Sequence, residues 1–124
     1  MTIEIVRPGD RDLREVEAGN PAPEAAKRAS RKQVISDDAP YVQLNRIDAG
    51  TSVPVHSHGA PETMIVLSGS LEMNGMVCEA GTIAVIPANE EYGFEVGGDE
   101  PLVFVVVRPT RADFQPGATA EIDQ

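Results

Sequence analysis

The stretch GTSVPVHSHGAPETMIVLSG, residues 50–69, contains both histidines of the chain. It opens and closes on glycine, and within it SVPVHSH (52–58) and TMIVLSG (63–69) are two apolar-rich runs separated by Gly59-Ala60-Pro61. Short runs bounded by Gly and Pro read as strands, and Pro54 marks an edge or a bulge in the first of them. Residues i and i+2 of a strand project from the same face. His56 and His58 are therefore expected side by side, with Glu62 returning a carboxylate to the same space just past the loop.

The strand pattern extends outward in both directions. YVQLNRI (41–47) precedes the stretch, joined to it by the turn at Asp48-Ala49-Gly50. After it, SLEM (70–73) and MVCEA (76–80) flank Asn74-Gly75, a strong hairpin signal because both turn positions require positive φ. GTIAVIP (81–87) and EYGFEV (91–96) follow, and Gly97-Gly98-Asp99 turns the chain into PLVFVVVRP (101–109). That makes about eight short strands with no helix between them, the signature of an antiparallel sandwich or barrel.

The flanks differ. TIEIV (2–6) alternates apolar and polar residues and reads as a short strand. Residues 7–40 are charged, poor in apolar side chains and punctuated by Pro8, Pro21, Pro23 and Pro40. The composition of PEAAKRASRK allows a short helix from Asn20-Pro21 to about residue 32. Residues 1–39 are thus read as an N-terminal arm able to pack on a partner subunit, 40–109 as the β-domain, and 110–124 as a flexible acidic tail.

The chain has 124 residues, enough for one domain. It lacks Trp, so beyond its five Phe and Tyr residues the core must come from Val, Ile, Leu and Met. Such a core is modest, and a homodimer is expected. The net charge is −10, and residues 47–124 carry only Arg108 and Arg111 against twelve acids. That surface repels phosphate backbones and argues against nucleic acid. Cys78 is the only cysteine, so no intrachain disulfide forms. Neither a secretory signal nor a long apolar run is visible, which points to the cytoplasm and away from membranes.

Two neutral imidazoles and a carboxylate are a donor set for a divalent first-row metal, although an HxH pair by itself also arises on exposed strand faces. The wider spacing adds to this. Gly50, five residues, His56, one, His58, three, Glu62, six, Gly69 resembles the first motif of the cupin superfamily at every fixed position. Gly81, Pro87, Asn89 and Tyr92 stand where the second motif places Gly, Pro, Gly and His. The resemblance covers roughly residues 40–108. It implies a single all-β, cupin-type antiparallel β-barrel (a jelly roll), with His56, His58 and Glu62 as inward-facing ligands of one metal: Fe, Zn, Ni or Mn.

Tyr92 replaces the usual histidine of the second motif. Three readings stay open for it: a fourth ligand through a metal-stabilised phenolate, a catalytic acid or base beside a two-His, one-carboxylate triad, or a packing residue. Glu90 and Glu91 read as solvated turn residues, and Cys78 as a small buried hydrophobe. Gln43 and Asn45 share one strand face, with the inward side undetermined. The function implied is a metal-dependent enzyme acting on a small oxygenated organic molecule, with dioxygenase chemistry slightly ahead of isomerase, cyclase or lyase chemistry. The alternative is a non-catalytic module that binds or senses a small ligand. A dimeric scaffold exchanging its N-terminal arm is a third reading.

Overall fold

Side chains on a strand alternate between its two faces, so a sheet with one buried face shows burial at every second residue. The strand Leu102–Arg108 does so along its whole length: Leu102, Phe104, Val106 and Arg108 are buried, and the residues between them are half-exposed. The computed structural model describes residues 3–112 and 114–117. In chain order it contains a 3-10 turn Pro8–Asp10, β1 Arg14–Glu15, helix α1 Glu24–Ala29, β2 Ser30–Asp37, β3 Tyr41–Ile47, β4 Ser52–His58 and β5 Glu62–Ser68. Then come β6 Ser70–Met73, β7 Met76–Glu79, β8 Ile83–Ile86, β9 Tyr92–Val96, β10 Leu102–Arg108 and β11 Phe114–Pro116. Eight of these strands fall on the runs read from the sequence, to within a residue or two at their ends.

The strands form two antiparallel sheets, ordered β1-β2-β3-β10-β5-β8 and β11-β4-β9-β6-β7. Their inner faces share one apolar cluster, with Met64, Val66, Phe104 and Val106 from the first sheet against Leu71, Phe94 and Val96 from the second. Phe94 and Phe104 meet edge to face across the gap, ring centroids 6.2 Å apart. Such an arrangement of aromatic quadrupoles adds about 0.5–1.5 kcal/mol beyond burial.

The expected closed barrel or jelly roll is not what forms. The architecture resembles the cupin fold, but the two sheets stay separate, and among the described residues no ladder joins them. The chain crosses between sheets in turns rather than by pairing. The turn after β7, closed by Thr82 N–H to the Glu79 carbonyl, hands it from the edge of the second sheet to the edge of the first. At the opposite edges the strands are only two and three residues long, and β11 ends on Pro116, which cannot donate to a ladder.

The N-terminal strand expected at residues 2–6 does not form either. Residue 2 lies outside the described residues, residues 3–7 form no regular element, and Ile3 and Ile5 are exposed and pair with no strand among the described residues. Helix α1 is shorter than its composition allows. Asn20 Oδ1 accepts from Ala22 N–H ahead of it, and Lys27 N–H bonds to the Pro23 carbonyl in its first turn. The chain then leaves the helix at Ser30 because Ser30–Asp37 pairs with β3 along its length. Six residues make a marginal helix, and the ladder outweighs further turns. The strand at β2 is not announced by the sequence pattern. β11 lies in the segment read as a tail, and residues 113 and 118–124 of that segment lie outside the described residues. No helix among the described residues is long and apolar enough to cross a membrane.

Two turns use glycine for a physical reason. Asn74 and Gly75 have φ of 53° and 75°, the left-handed pair of a two-residue hairpin. Gly69 has φ 75°, and a Cβ there would strike the Pro101 carbonyl.

Candidate functional site

Antiparallel connection places the end of β4, the start of β5, the start of β9 and the end of β10 at one end of the two sheets. Those termini carry His56 and His58, Glu62, Tyr92 and Arg108 respectively. Pro54 interrupts the β4–β9 ladder, whose register shifts between Val53 and His56 and resumes with His56 opposite Tyr92. The bulge expected at Pro54 is thus present, and β4 is an interior strand covered by β11. Gly93 allows the close approach, since a Cβ there would meet the Val53 carbonyl at 2.8 Å.

The two histidines share a face as their spacing requires, with ring centroids 5.0 Å apart. His56 is buried, stacks on Phe114 at 4.4 Å and lies 4.4 Å from the Tyr92 ring. Its Nδ1–H donates to the Pro54 carbonyl at 2.8 Å, which leaves the lone pair on Nε2. Burial lowers the pKa of His56 from its ordinary value, the Pro54 hydrogen bond and the Glu62 charge opposing only in part. The imidazole is therefore neutral at pH 7.

Glu62 is the centre of the cluster. Arg108 Nε and Nη2 donate to its Oε1 at 3.0 and 2.8 Å, and the Tyr92 hydroxyl donates to its Oε2 at 3.0 Å. Both ionic side chains are almost fully buried, Arg108 at 6% and Glu62 at 2% exposure. Sheet register builds the pair. Val107 sits opposite Thr63, so Arg108 and Glu62 are the next residues on adjoining strands, and Arg108 also faces Tyr41 on its other side. The guanidinium carbon lies 5.4 Å from the Tyr41 ring centroid. Tyr92 holds its proton far above the usual phenol range, chiefly because it is buried and then because the Glu62 carboxylate is beside it.

The structure thus gathers all four residues expected at the site, but not as a metal centre. Both oxygens of Glu62 accept hydrogen bonds, Oε1 from Arg108 and Oε2 from Tyr92, and His58 Nε2 stands 3.9 Å from Oε1. Among the described residues no group of three or more His, Cys, Asp and Glu side chains is placed to hold a metal ion. The expected transition metal on His56, His58, Glu62 and Tyr92 is accordingly corrected. A dication would have to compete with a guanidinium already bonded to Glu62, and the Tyr92 hydroxyl donates its proton to the same carboxylate.

Arg108 was missed in the sequence, although a signal was there. It continues the inward series Leu102, Phe104, Val106, so the alternation of β10 aims a cation into an apolar interior. Gln43 and Asn45 point inward as well. Tyr41 hydroxyl donates to Gln43 Oε1, and Gln43 Nε2 donates to Asn45 Oδ1, both at 2.6 Å. All these residues line a cavity of about 650 Å³ between the sheets, with Met64, Phe94, Phe104 and Val106 as its apolar wall and residues of the N-terminal segment at its side. Glu90 and Glu91 are exposed, and Cys78 packs on the core outside the cavity.

The cupin domain family model matches residues 43–108, more than half of the chain. This chain belongs to the cupin superfamily. The match runs from β3 to the end of β10 and so includes every residue of the Glu62 cluster. Several solved structures resemble this cupin. The polyketide cyclase RemF from Streptomyces resistomycificus is 21% identical over 93% of this chain and 85% of its own, with a TM-score of 0.76. KdgF from Halomonas sp. is 17% identical over 89% of this chain and 96% of its own, with a TM-score of 0.68. A cupin-superfamily sugar phosphate isomerase from Silicibacter pomeroyi DSS-3 is 20% identical over 87% and 76%, with a TM-score of 0.69. At these identities the likeness shows the fold. No curated protein matches the sequence.

Proposed function

We propose that this cupin is an enzyme that binds a small oxygenated organic molecule between its sheets and moves a proton on it, as an isomerase, cyclase or lyase does. The observation that carries this reading is a neutral, tautomer-fixed imidazole, His56, beside a buried phenol and guanidinium that line the same cavity. The volume of about 650 Å³ lies within the range of small-molecule sites. Names of similar structures, among them a cyclase and an isomerase, are compatible with these reaction classes.

In this reading His56 Nε2 takes a proton from a C–H activated by an adjacent carbonyl. Arg108 has one nitrogen, Nη1, that makes no hydrogen bond among the described residues. Directed at the carbonyl oxygen, it stabilises the enolate as charge develops. Tyr92 is the candidate catalytic acid, its proton retained by burial and shared with Glu62. Dioxygenase chemistry is no longer preferred, because that preference rests on a ligand triad whose carboxylate is committed to Arg108 and Tyr92.

A test is deuterium uptake by 2-tetralone and 2-oxobutanoate in D₂O, followed by proton NMR. Wild type is expected to accelerate exchange at the carbon next to the carbonyl, and His56→Gln to abolish the acceleration. A second reading, a non-catalytic binding module, is favoured by the full pairing of Glu62. Saturable binding of such ketones without any exchange would select it over the enzyme.

A further inference from the structure

The chain carries twice as many acidic side chains as basic ones, 20 against 10. The cavity reverses that ratio: Lys27, Lys32, Arg108 and Arg111 line it, against Glu17 and Glu62. The ion pairs around it are polarised in the same sense. The Lys27 and Lys32 side chains are only 11% and 17% exposed, whereas their partners Glu24 and Glu17 are 74% and 64% exposed. The cations sit toward the interior and the carboxylates toward solvent, where water screens them. A cleft with low-dielectric walls focuses the positive field that remains.

One place in the cavity adds directed donors to that field. Lys32 on β2 stands opposite Asn45 on β3, so both side chains lie on the same face. Asn45 accepts from Gln43 through Oδ1, and its amide nitrogen makes no hydrogen bond among the described residues. The Lys32 ammonium bonds one carboxylate, Glu17, at 3.2 Å, and has three donors in all. A lysine directly across the ladder from an unspent amide N–H₂ supplies donors suited to a carboxylate. Asn45 lies four residues along β3 from Tyr41, the neighbour of Arg108, which is about 13 Å at strand rise.

Building on the proposed function, we infer that the cavity takes an anionic ligand, a small carboxylic acid. Its carboxylate is held by Lys32 and Asn45, and its carbonyl or hydroxyl end reaches His56 and Tyr92. Lys27 serves the N-terminal segment instead. Its ammonium bonds the carbonyls of Ala18 and Asn20 and ties that segment to helix α1.

The probes that test this are 6-hydroxy-2-naphthoate and its neutral counterpart 6-hydroxy-2-naphthamide, with binding read from naphthol fluorescence. Wild type is expected to bind the acid about ten-fold more tightly than the amide, as a charge-assisted contact provides. Lys32→Met removes that preference, Lys32→Arg keeps it, and Tyr92→Phe does not alter the ratio. Equal affinity of wild type for both probes, or a preference that survives Lys32→Met, overturns the carboxylate subsite and leaves the proposed function standing. Failure of both probes to bind at millimolar concentration overturns the subsite together with the cavity reading on which it rests.

Discussion

The Arg108 guanidinium and the Glu62 carboxylate form a buried ion pair across two adjoining strands, with Nε and Nη2 both donating to Oε1 at 3.0 and 2.8 Å. Each charge has left water, and each depends on the other and on Tyr92 for compensation. Removing one partner strands the other, which typically costs about 3–5 kcal/mol, whereas replacing both by apolar residues of similar volume is often neutral or stabilising. Arg108→Met and Glu62→Leu are each expected to lower urea stability by about that amount, and the double variant to recover most of the loss. Additive losses in the double-mutant cycle would show that the two residues do not act as a pair.

Tyr92→Phe keeps the buried ring and removes the hydroxyl that bonds to Glu62 Oε2. A hydrogen bond to a charged group contributes about 1.5–3 kcal/mol, and the variant should lose about that much stability. Exchange activity should fall with it if Tyr92 is the acid.

Both tyrosines of the chain, Tyr41 and Tyr92, have pKa values raised by burial. The folded protein therefore holds more protons than the unfolded chain once pH passes the ordinary phenol value. Stability from this source is fully present below about pH 10 and declines as pH rises beyond it. Absorbance at a tyrosinate wavelength should show the folded protein ionising well above the chain in urea. Coincident titration curves would refute the burial of both phenols.

His56 works in the opposite direction. Its pKa is lowered by burial, so the unfolded chain binds the extra proton first. Its contribution is complete above the ordinary histidine value of about 6.5 and is lost as pH falls from there through the lowered folded value. The drop in melting temperature between neutral pH and pH 5 should be smaller in His56→Gln than in wild type. An equal drop would mean that His56 titrates freely in the folded state.

Zinc, nickel, manganese or iron(II) in large excess is expected to leave the melting temperature unchanged. A specific site would add about 2.7 kcal/mol at one hundred times its dissociation constant. Elemental analysis of protein purified without chelator should return far less than one equivalent. A full equivalent, bound tightly, would show that Arg108 yields Glu62 to a cation.

The site was half legible. The HxH spacing and the loop after it fix His56, His58 and Glu62 near one another on any strand reading, and the hairpin at Asn74-Gly75 helps set the strand count. What those groups bond to depends on strands far away in sequence. Glu62 meets Arg108 across 46 positions and Tyr92 across 30, and no local pattern encodes such a contact. The metal reading failed at that step, because a carboxylate near two histidines looks the same in sequence whether its oxygens are free or taken.

By itself the sequence determined the all-β character, eight of the strands and the grouping of His56, His58 and Glu62, because alternation, turn chemistry and i, i+2 spacing act over a few residues. Tertiary structure alone decided that Ser30–Asp37 leaves its helix to pair with β3, and that the two sheets stay separate. It also decided that Arg108 is the cation Glu62 faces. Each of these outcomes is set by ladder register and burial across the whole chain, where the cost of an unpaired backbone or charge outweighs local preference.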